Sequence, residues 1–236
     1  MEKTVGIIGG MGPLATVDIF NKIVRMTDAK IDQDHPRVVI DNNPGIPSRQ
    51  DFFNGIGYSP LPDLIKTAKN LENIGAELLI MPCNTAHYFH RDIAKNVKVP
   101  FINMLEETAG YFSENHTDEK KVGLLATTQT CELGIYEHFL SENGVEIVKP
   151  SAENQAYLME IINVYIKQSN MNFNLDKWKE IIDELQEQEV KTVILGCTEL
   201  SIAFDVHPLE INTIDPTVVL AEAAIKASGK KVLARR

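Results

Sequence analysis

The sequence predicts an α/β protein of two similar βα domains, each a four-stranded parallel sheet flanked by helices. Short β-branched runs alternate with longer amphipathic stretches along all 236 residues, a pattern typical of βα units around parallel sheets. The short runs are almost continuously apolar, as in strands that helices cover on both faces. Landmarks of the first half also recur in the second. We therefore expect a pseudo-twofold axis between the domains, with the active site between them.

Eight apolar runs are predicted to be strands, four in each half, and four of the longer stretches are predicted to be helices. The strands are Thr4 to Ile8, Arg37 to Asp41, Glu77 to Met81, Pro100 to Asn103, Lys121 to Ala126, Val145 to Lys149, Lys191 to Leu195 and Ile211 to Ile214. The helices are Thr85 to Asn96, Met104 to Ser113, Ala152 to Gln168 and Pro216 to Ala227.

The two halves repeat the same landmarks at a nearly constant distance. The run that begins at Val5 (VGII) matches the run that begins at Val122 (VGLL), an offset of 122 − 5 = 117 residues. The run that ends at Cys83 (IMPC) matches the run that ends at Cys197 (ILGC), an offset of 197 − 83 = 114 residues. We expect one domain of residues 1–115 with a returning C-terminal helix, 216–236, and a second domain of residues 116–215.

Composition excludes several classes of partner. The formal net charge of −10 and the pI near 5.1 argue against nucleic acid and anionic membrane, which are bound through Lys and Arg patches. No apolar run approaches the roughly 20 residues that span a bilayer. Three cysteines without CxxC spacing do not form a disulfide framework. We expect a soluble protein in a reducing cytoplasm.

Two of the three cysteines are the main candidates for chemistry. Cys83 and Cys197 each follow a predicted strand and precede a predicted helix, and the carboxyl ends of parallel strands are where α/β proteins bind ligands. A helix N-terminus lowers the pKa of a thiol from about 8.5. A free cysteine is commonly a small buried hydrophobe, but its recurrence at the equivalent place favours function. Cys131 has no counterpart, so we assign it to the core.

Polar side chains beside the two cysteines and in two strand-to-helix loops are candidate substrate contacts. Those beside the cysteines can cap a helix or bind a ligand. The glycine-rich loop after the first strand and the hydroxyl-rich loop after the fifth could together hold one carboxylate. The candidates are Met11, Asn84, Thr85, Thr127, Thr198 and Glu199.

Two cationic side chains could hold a substrate carboxylate in this acidic chain. Arg49 lies in the segment 42–59, predicted to be a long loop, and a guanidinium binds a carboxylate through two parallel hydrogen bonds. Lys167 lies late in the helix predicted over residues 152–168. The competing interpretation is that Arg49 is an ordinary surface arginine and that Lys167 complements a helix C-terminus.

Zinc and dinucleotide sites are weaker interpretations of two further motifs. Cys83, His87 and His90 share one helix face at i, i+4 and i+7, but a third ligand one turn further on is hard to aim at the same ion. The glycine loop nearly fits GxGxxG/A, yet Asp41 follows Gly12 by 41 − 12 = 29 residues, later than the roughly 20 expected for a ribose-binding acid. We therefore predict no metal and no nicotinamide cofactor.

Three segments resemble the aspartate/glutamate racemases across nearly the whole chain: GIIGGMGP near the start, PCNTAH around Cys83 and LGCTEL around Cys197. The resemblance implies a cofactor-independent racemase, a homodimer, in which the two cysteines are the acid/base pair. It also implies that Asn84, Thr85, Thr127 and Thr198 contact the substrate and that Arg49 and Lys167 bind its side-chain carboxylate. The second motif reads Cys-Thr-Glu rather than the Cys-Thr-His usual in glutamate racemases, which favours aspartate.

The function predicted from the sequence is interconversion of L- and D-aspartate by a two-base 1,1-proton transfer, without a cofactor. Inverting a stereocentre in this way needs one base and one acid on opposite faces. Racemisation of glutamate, or of a broader range of amino acids, is the nearest competing hypothesis. A related thiol decarboxylase or cis-trans isomerase, and a non-catalytic amino-acid binding protein, would also be consistent with these residues.

Overall fold

The computed structural model describes residues 2–141 and 144–234. The chain divides into two compact units: Met1–Glu107 with Thr217–Arg236, and Thr108–Pro216. Each unit contains a parallel sheet with helices packed against it. The predicted α/β class is therefore confirmed.

The first unit contains a three-stranded sheet with strand order β2-β1-β3. Val5 of β1 lies beside Val38 of β2 on one side and Leu78 of β3 on the other. The strands are β1 (Val5–Gly9), β2 (Val38–Asn42) and β3 (Leu78–Ile80). The helices are α1 (Pro13–Met26), α2 (Arg49–Phe53), α3 (Leu61–Asn73) and α4 (His90–Ala94), and α5 (Met104–Asn115) begins in this unit. Short 3₁₀ turns cover Asp32–Asp34 and Thr85–Phe89.

The predicted fourth strand of this sheet, residues 100–103, is reduced to a single bridge. Leu79 donates its N–H to the carbonyl of Pro100 at 2.8 Å and accepts from Ile102 at 3.0 Å, which makes one parallel bridge between Leu79 and Phe101. Pro100 has no N–H to extend the ladder, and α5 already begins at Met104. The prediction of four strands is therefore wrong for this unit.

The second unit contains the predicted four-stranded sheet, with strand order β5-β4-β6-β7. Its strands are β4 (Lys121–Ala126), β5 (Glu146–Val148), β6 (Thr192–Gly196) and β7 (Asn212–Ile214). Its helices are α6 (Thr128–Glu132), α7 (Glu137–Leu140), α8 (Ala152–Glu160), α9 (Leu175–Glu187) and α10 (Thr198–Val206), and α11 (Pro216–Ala227) returns to the first unit. A π turn, Ile161–Tyr165, and a 3₁₀ turn, Ile166–Gln168, continue α8.

The strands differ in how completely they are buried. Every residue of β1, β3 and β6 is buried. Part of each of the edge strands β2, β5 and β7 is exposed, whereas β3, also an edge strand, is bridged on its outer side by Phe101. The expectation that all eight runs are buried holds for β1, β3 and β6 and, apart from its first residue, for β4.

Two further segments differ from their predicted structure, one predicted as a loop and one predicted as a continuous helix. The segment 42–59 contains α2, which begins where the Ser48 hydroxyl accepts the N–H of Asp51 at 3.2 Å. Such capping satisfies a free N–H of the first turn. After Cys83 the predicted continuous helix is a 3₁₀ turn followed by the short α4.

Each unit has its own apolar core. In the first unit, one cluster packs α1 and α11 against the sheet, and another packs α3 and the segment after β3 against the other face. In the second unit one cluster surrounds the fully buried Trp178. Over residues 2–141 and 144–234, none of the helices combines the length and hydrophobicity that crossing a bilayer demands.

Gly10 and Gly75 provide a matched test of how tightly the loop after β1 is packed. Both have positive φ, +96° and +97°, but a Cβ on Gly10 would lie 2.3 Å from the carbonyl group of Asn43, whereas one on Gly75 would meet nothing within 4 Å. We expect Gly75→Ala to lower the free energy of unfolding by about 1 kcal/mol through backbone strain alone. Gly10→Ala should cost at least about 2 kcal/mol more because backbone must move.

Urea unfolding of the two variants measures this difference. Equal losses in the two would show that the loop after β1 can move away from residue 43 at little cost.

Candidate active site

The turn that contains Cys83 follows strand β3, and we call it the first thiol turn. Cys83 is buried, with 7% of its surface exposed, and its N–H donates to the carbonyl of Met81 at 2.9 Å. Met11 from the loop after β1 and Ile46 belong to the same apolar cluster as Cys83. The structure thus brings the predicted contact Met11 and the thiol into one cluster.

His87 fixes the first thiol turn. Its Nδ1 lies 2.8 Å from the carbonyl of Cys83, and its Nε2 accepts the N–H of Met104 at 3.1 Å. Since Nε2 is the acceptor, the ring proton sits on Nδ1 and is donated to Cys83. Complete burial lowers the pKa of His87 to about 3, so the ring is neutral. Both ring nitrogens are occupied by backbone groups, which does not fit a zinc site.

Arg49 opens helix α2, which packs on the segment after Cys83. One guanidinium nitrogen of Arg49 donates to the carbonyl of Pro47 at 3.0 Å. The rings of Phe52 and Phe53 lie 5.7 and 5.8 Å from that of Phe89. Arg49 Nε is buried and makes no hydrogen bond within the described residues. These ring contacts therefore hold helix α2, which begins with Arg49, against the segment that follows Cys83.

Asn84 and Thr85 follow Cys83 directly and are buried, with 2% and 7% exposure. They form the start of the 3₁₀ turn, with Asn84 at its N-cap position. The structure places both predicted contacts beside the thiol.

The second thiol turn follows strand β6 and has a carboxylate against the sulfur. Cys197 is the N-cap residue of α10, and its Sγ donates to Oε2 of Glu199 at 3.0 Å. The hydroxyl of Thr198 donates to the same oxygen at 3.2 Å. All three side chains are buried. Glu199 is therefore positioned to accept the proton of this thiol.

The thiol of Cys197 is held in its protonated form. Burial first, and then the charge and hydrogen bond of Glu199, raise the pKa of Cys197 well above its ordinary value, although the Lys167 charge opposes this. The expectation that the helix N-terminus lowers this pKa is wrong for Cys197. A thiolate there would be desolvated beside a carboxylate, which outweighs the helix dipole.

Thr127 and Lys167 lie in the same unit as Cys197. Ala126 of β4 is the register partner of Gly196 in β6, so Thr127 and Cys197 follow paired residues. The Thr127 hydroxyl caps α6 by accepting the N–H of Thr130 at 3.2 Å. Lys167 is exposed, donates to Oδ1 of Asn163 at 2.9 Å, and is close enough for its charge to lower the pKa of Cys197.

Cys131 occupies a different environment from the other two thiols. It is half-buried in α6, and burial raises its pKa to about 11. It does not belong to the buried residues of the described apolar clusters, so the prediction that it lies in the core is wrong.

A second side-chain contact, at the position equivalent to His87, was not identified from the sequence. Ser201 stands four residues after Cys197, as His87 stands four after Cys83. Its hydroxyl donates to Oδ1 of Asp215 at 2.8 Å, and Asp215 precedes α11 as Asn103 precedes α5. His87 thus connects the turn of Cys83 to Met104 at the start of α5, and Ser201 connects the turn of Cys197 to Asp215, which precedes α11. The spacing of four residues between Cys197 and Ser201, as between Cys83 and His87, is the sequence feature that could have indicated this contact.

Comparison with known proteins gives consistent results. The family profile of Asp/Glu/hydantoin racemases matches residues 8–224. The chain is 34% identical to a solved aspartate racemase of Picrophilus torridus, with a TM-score of 0.84 over 98% of this chain and 96% of that one. It is 28% identical over 226 residues to the broad specificity amino-acid racemase RacX of Bacillus subtilis (strain 168), covering 94% of this chain and 96% of that protein. It is 26% identical over 183 residues to the glutamate racemase of Corynebacterium glutamicum, covering 75% of this chain and 65% of that protein.

Acid should destabilise the fold through His87. Its pKa is 6.5 in an ordinary setting and about 3 when folded, so below pH 6.5 the unfolded chain binds a proton that the folded chain does not. Stability is therefore lost as pH falls through this window. Between about pH 7 and about pH 5, His87 should remove about 2 kcal/mol from the free energy of unfolding. Urea unfolding of His87→Gln should show an acid loss smaller by that amount.

The exposed His138→Gln is the control and should follow the wild-type protein. An acid loss in His87→Gln equal to that of the wild-type protein would show that His87 is not held neutral.

Glu199→Gln should lower the pKa of Cys197, because a neutral amide no longer repels a thiolate. Cys83→Ser together with Cys131→Ser leaves Cys197 as the one thiol, whose alkylation rate can be followed against pH. The midpoint of that profile should move to lower pH in Glu199→Gln. The exposed Glu187→Gln on α9 is the control and should leave the midpoint unchanged. An unmoved midpoint in Glu199→Gln would mean that the carboxylate does not govern the thiol.

Proposed function

This chain belongs to the Asp/Glu/hydantoin racemase family, and on that basis we propose that it interconverts L- and D-aspartate by a cofactor-independent two-cysteine proton transfer. Family membership makes it an isomerase of the racemase type. One observation carries the finer proposal: each unit presents a buried thiol, Cys83 or Cys197, between the end of a buried parallel strand and a helical turn. Sites for small ligands form at such strand ends.

In the proposed reaction the thiolate of one cysteine removes the α-proton from one face of the substrate. The C–H electron pair remains on the α-carbon as a carbanion, and the thiol of the other cysteine gives its proton to the opposite face. The two sulfurs exchange protonation states, so that the next turnover starts from the other side or after a proton is redistributed. The two domains, 1–115 with 216–236 and 116–215, each supply one of these groups in this proposal.

Cys197 enters the first turnover as the acid. Its raised pKa and its hydrogen bond to Glu199 keep the proton on sulfur, so Cys83 is the base in that direction. In the other direction Cys197 must lose its proton, and Glu199 is the carboxylate that accepts it. We therefore assign Glu199, predicted from the sequence as a substrate contact, an additional role in positioning the Cys197 proton.

The substrate is held by polar groups around the two thiols. Asn84, Thr85, Thr127 and Thr198 offer donors to its α-carboxylate and to the developing carbanion, and Met11 forms an apolar wall. Arg49 and Lys167 bind the side-chain carboxylate. An anionic substrate needs such local cations because the chain carries a net charge of −10. Since backbone carbonyls already hold one Arg49 nitrogen, its remaining donors are oriented in advance.

Aspartate is preferred as the substrate for two reasons. The second motif reads Cys-Thr-Glu, and the solved aspartate racemase resembles nearly the whole chain. The resemblance to a broad specificity racemase over most of both chains supports a wider substrate range as the second candidate. We also propose a cytoplasmic location, because the free thiols would persist in a reducing compartment.

Racemisation in D₂O without pyridoxal phosphate tests the proposal. The wild-type enzyme should convert L-aspartate to D-aspartate with deuterium at the α-carbon, faster than it converts other amino acids in a panel. Cys83→Ser and Cys197→Ser should each lower kcat at least about 10²-fold, because a positioned acid or base contributes that much. Cys131→Ser is the matched control and should keep its activity.

Each contrary outcome of this assay would favour a different function. Equal rates on apolar and acidic amino acids would favour broad specificity. Thermal stabilisation by aspartate that persists in both cysteine variants, without turnover, would indicate a binding protein. Activity that survives loss of either cysteine would contradict the two-base mechanism.

A further inference from the structure

The helix that carries Lys167 is widened by a π turn just before the lysine. Helix α8 continues through the π turn Ile161–Tyr165 into the 3₁₀ turn Ile166–Gln168. The chain then leaves the helix at Ser169, which has a left-handed backbone conformation with φ of +58°. A π turn is rare and is frequently found at functional sites. We call residues 161–174 the Lys167 segment.

The Lys167 segment is anchored to the helix that begins beside Cys197. Ile166 is fully buried in the same apolar cluster as Cys197. His207, the residue after α10, donates from Nε2 to the carbonyl of Met171 at 2.9 Å, since a carbonyl can only accept. The carbonyl of His207 in turn accepts the indole N–H of Trp178 at 3.1 Å. The backbone of the segment therefore has a fixed position relative to the thiol, within one compact unit.

Lys167 has a neutral partner at the position where other helical lysines of this chain have an acid. Residues four apart on a helix are neighbours. Two lysines form ion pairs with the acid four residues before them, Lys22 with Asp18 and Lys226 with Glu222. The residue four before Lys167 is Asn163, whose Oδ1 accepts a hydrogen bond from the lysine Nζ at 2.9 Å. Asparagine has the shape of aspartate but no charge, so this contact holds the ammonium without neutralising it.

The charge of Lys167 is therefore available to a ligand. Asn163 is half-buried and Lys167 is exposed, and within residues 2–141 and 144–234 the lysine forms no ion pair. Its field reaches Cys197, because it opposes the rise in the pKa of that thiol that burial and Glu199 cause. A carboxylate that approaches this thiol in a chain of net charge −10 needs such an unneutralised cation.

From this contact we propose that Asn163 determines the preference of the site for acidic amino acids. It holds the Lys167 ammonium beside Cys197 and leaves the charge free for the side-chain carboxylate of the substrate. A lysine has a flexible four-carbon stem, so orienting its ammonium in advance reduces the entropy that binding costs. Asn163 is a positioning residue, since it acts through Lys167. The inference rests on the proposed racemase function.

A purely structural role for Asn163 makes the opposite prediction. Asn163→Asp would create the ion pair that Lys22 and Lys226 already have, and such a pair stabilises a helix slightly. If the contact only supports the helix, the variant should lose nothing. If Asn163 preserves a free charge for the ligand, the same substitution must weaken the binding of carboxylates in a protein that melts no earlier than the wild type.

Kinetics of Asn163→Asp in the full chain test the inference. The KM for aspartate should rise at least about 10-fold, with a smaller change in kcat, because the new carboxylate competes with that of the substrate for Lys167. Asparagine has the size of aspartate without its charge, so its inhibition constant should stay within about 2-fold. Asn115→Asp is the control, because this exposed residue precedes β4 and lies at the sheet edge opposite Cys197. It adds the same charge and should leave both constants unchanged.

Alkylation of Cys197 gives a second readout that needs no turnover. In the Cys83→Ser, Cys131→Ser protein, Asn163→Asp should move the midpoint of alkylation to higher pH, because the new carboxylate cancels the Lys167 charge that favours the thiolate. Asn115→Asp should leave this midpoint in place.

An unmoved midpoint in Asn163→Asp, or an aspartate KM that this variant leaves unchanged, would overturn the inference. A wild-type protein that racemises no amino acid would instead overturn the proposed function, and the alkylation midpoint would then decide by itself whether Asn163 positions Lys167.

Discussion

The carboxyl ends of two buried parallel strands determine where the candidate reactive side chains of this protein stand. Strands β3 and β6 are buried along their whole length, so neither can slide or turn without exposing apolar surface and breaking its ladder. Cys83 follows β3 after Met81 and Pro82, and Cys197 comes directly after β6, so these strands hold both thiols in position. The loops after β1 and β4 end at the same sheet edges, because all strands of a parallel sheet point the same way. Everything proposed for catalysis depends on this constraint.

Most of this framework could be predicted from the sequence. Helix α11 and strand β4 have the predicted limits, because each is a clear apolar run between polar or proline boundaries. The errors fall where an element depends on its neighbours. Residues 100–103 have strand composition but only one bridge partner, and helix α2 forms because Ser48 caps a segment that lacks an apolar period. Edge positions in a sheet depend on strand order, which local composition does not encode.

The candidate site was predicted in part. The repeated motifs identified Cys83 and Cys197, but not the chemical difference between their surroundings. At the first turn a neutral histidine holds the backbone of the cysteine. At the second turn a carboxylate contacts the sulfur itself and raises its pKa. Sequence spacing cannot give the orientation of Glu199 or the degree of burial, and these two quantities set the protonation of Cys197. The contact of Ser201 with Asp215 was missed for the same reason.

The turns of Cys83 and Cys197 occupy equivalent places after parallel strands, but only the Cys197 sulfur contacts a carboxylate that raises its pKa. Such a difference suits a reaction that needs an acid on one side and a base on the other. Whether the two turns serve one substrate is most directly tested by a crystal structure of the Cys83→Ser, Cys197→Ser protein with aspartate bound. The two serine oxygens should lie on opposite faces of the substrate α-carbon, each within about 4 Å of it. Serines that line separate pockets, or aspartate bound away from both, would contradict the two-base mechanism.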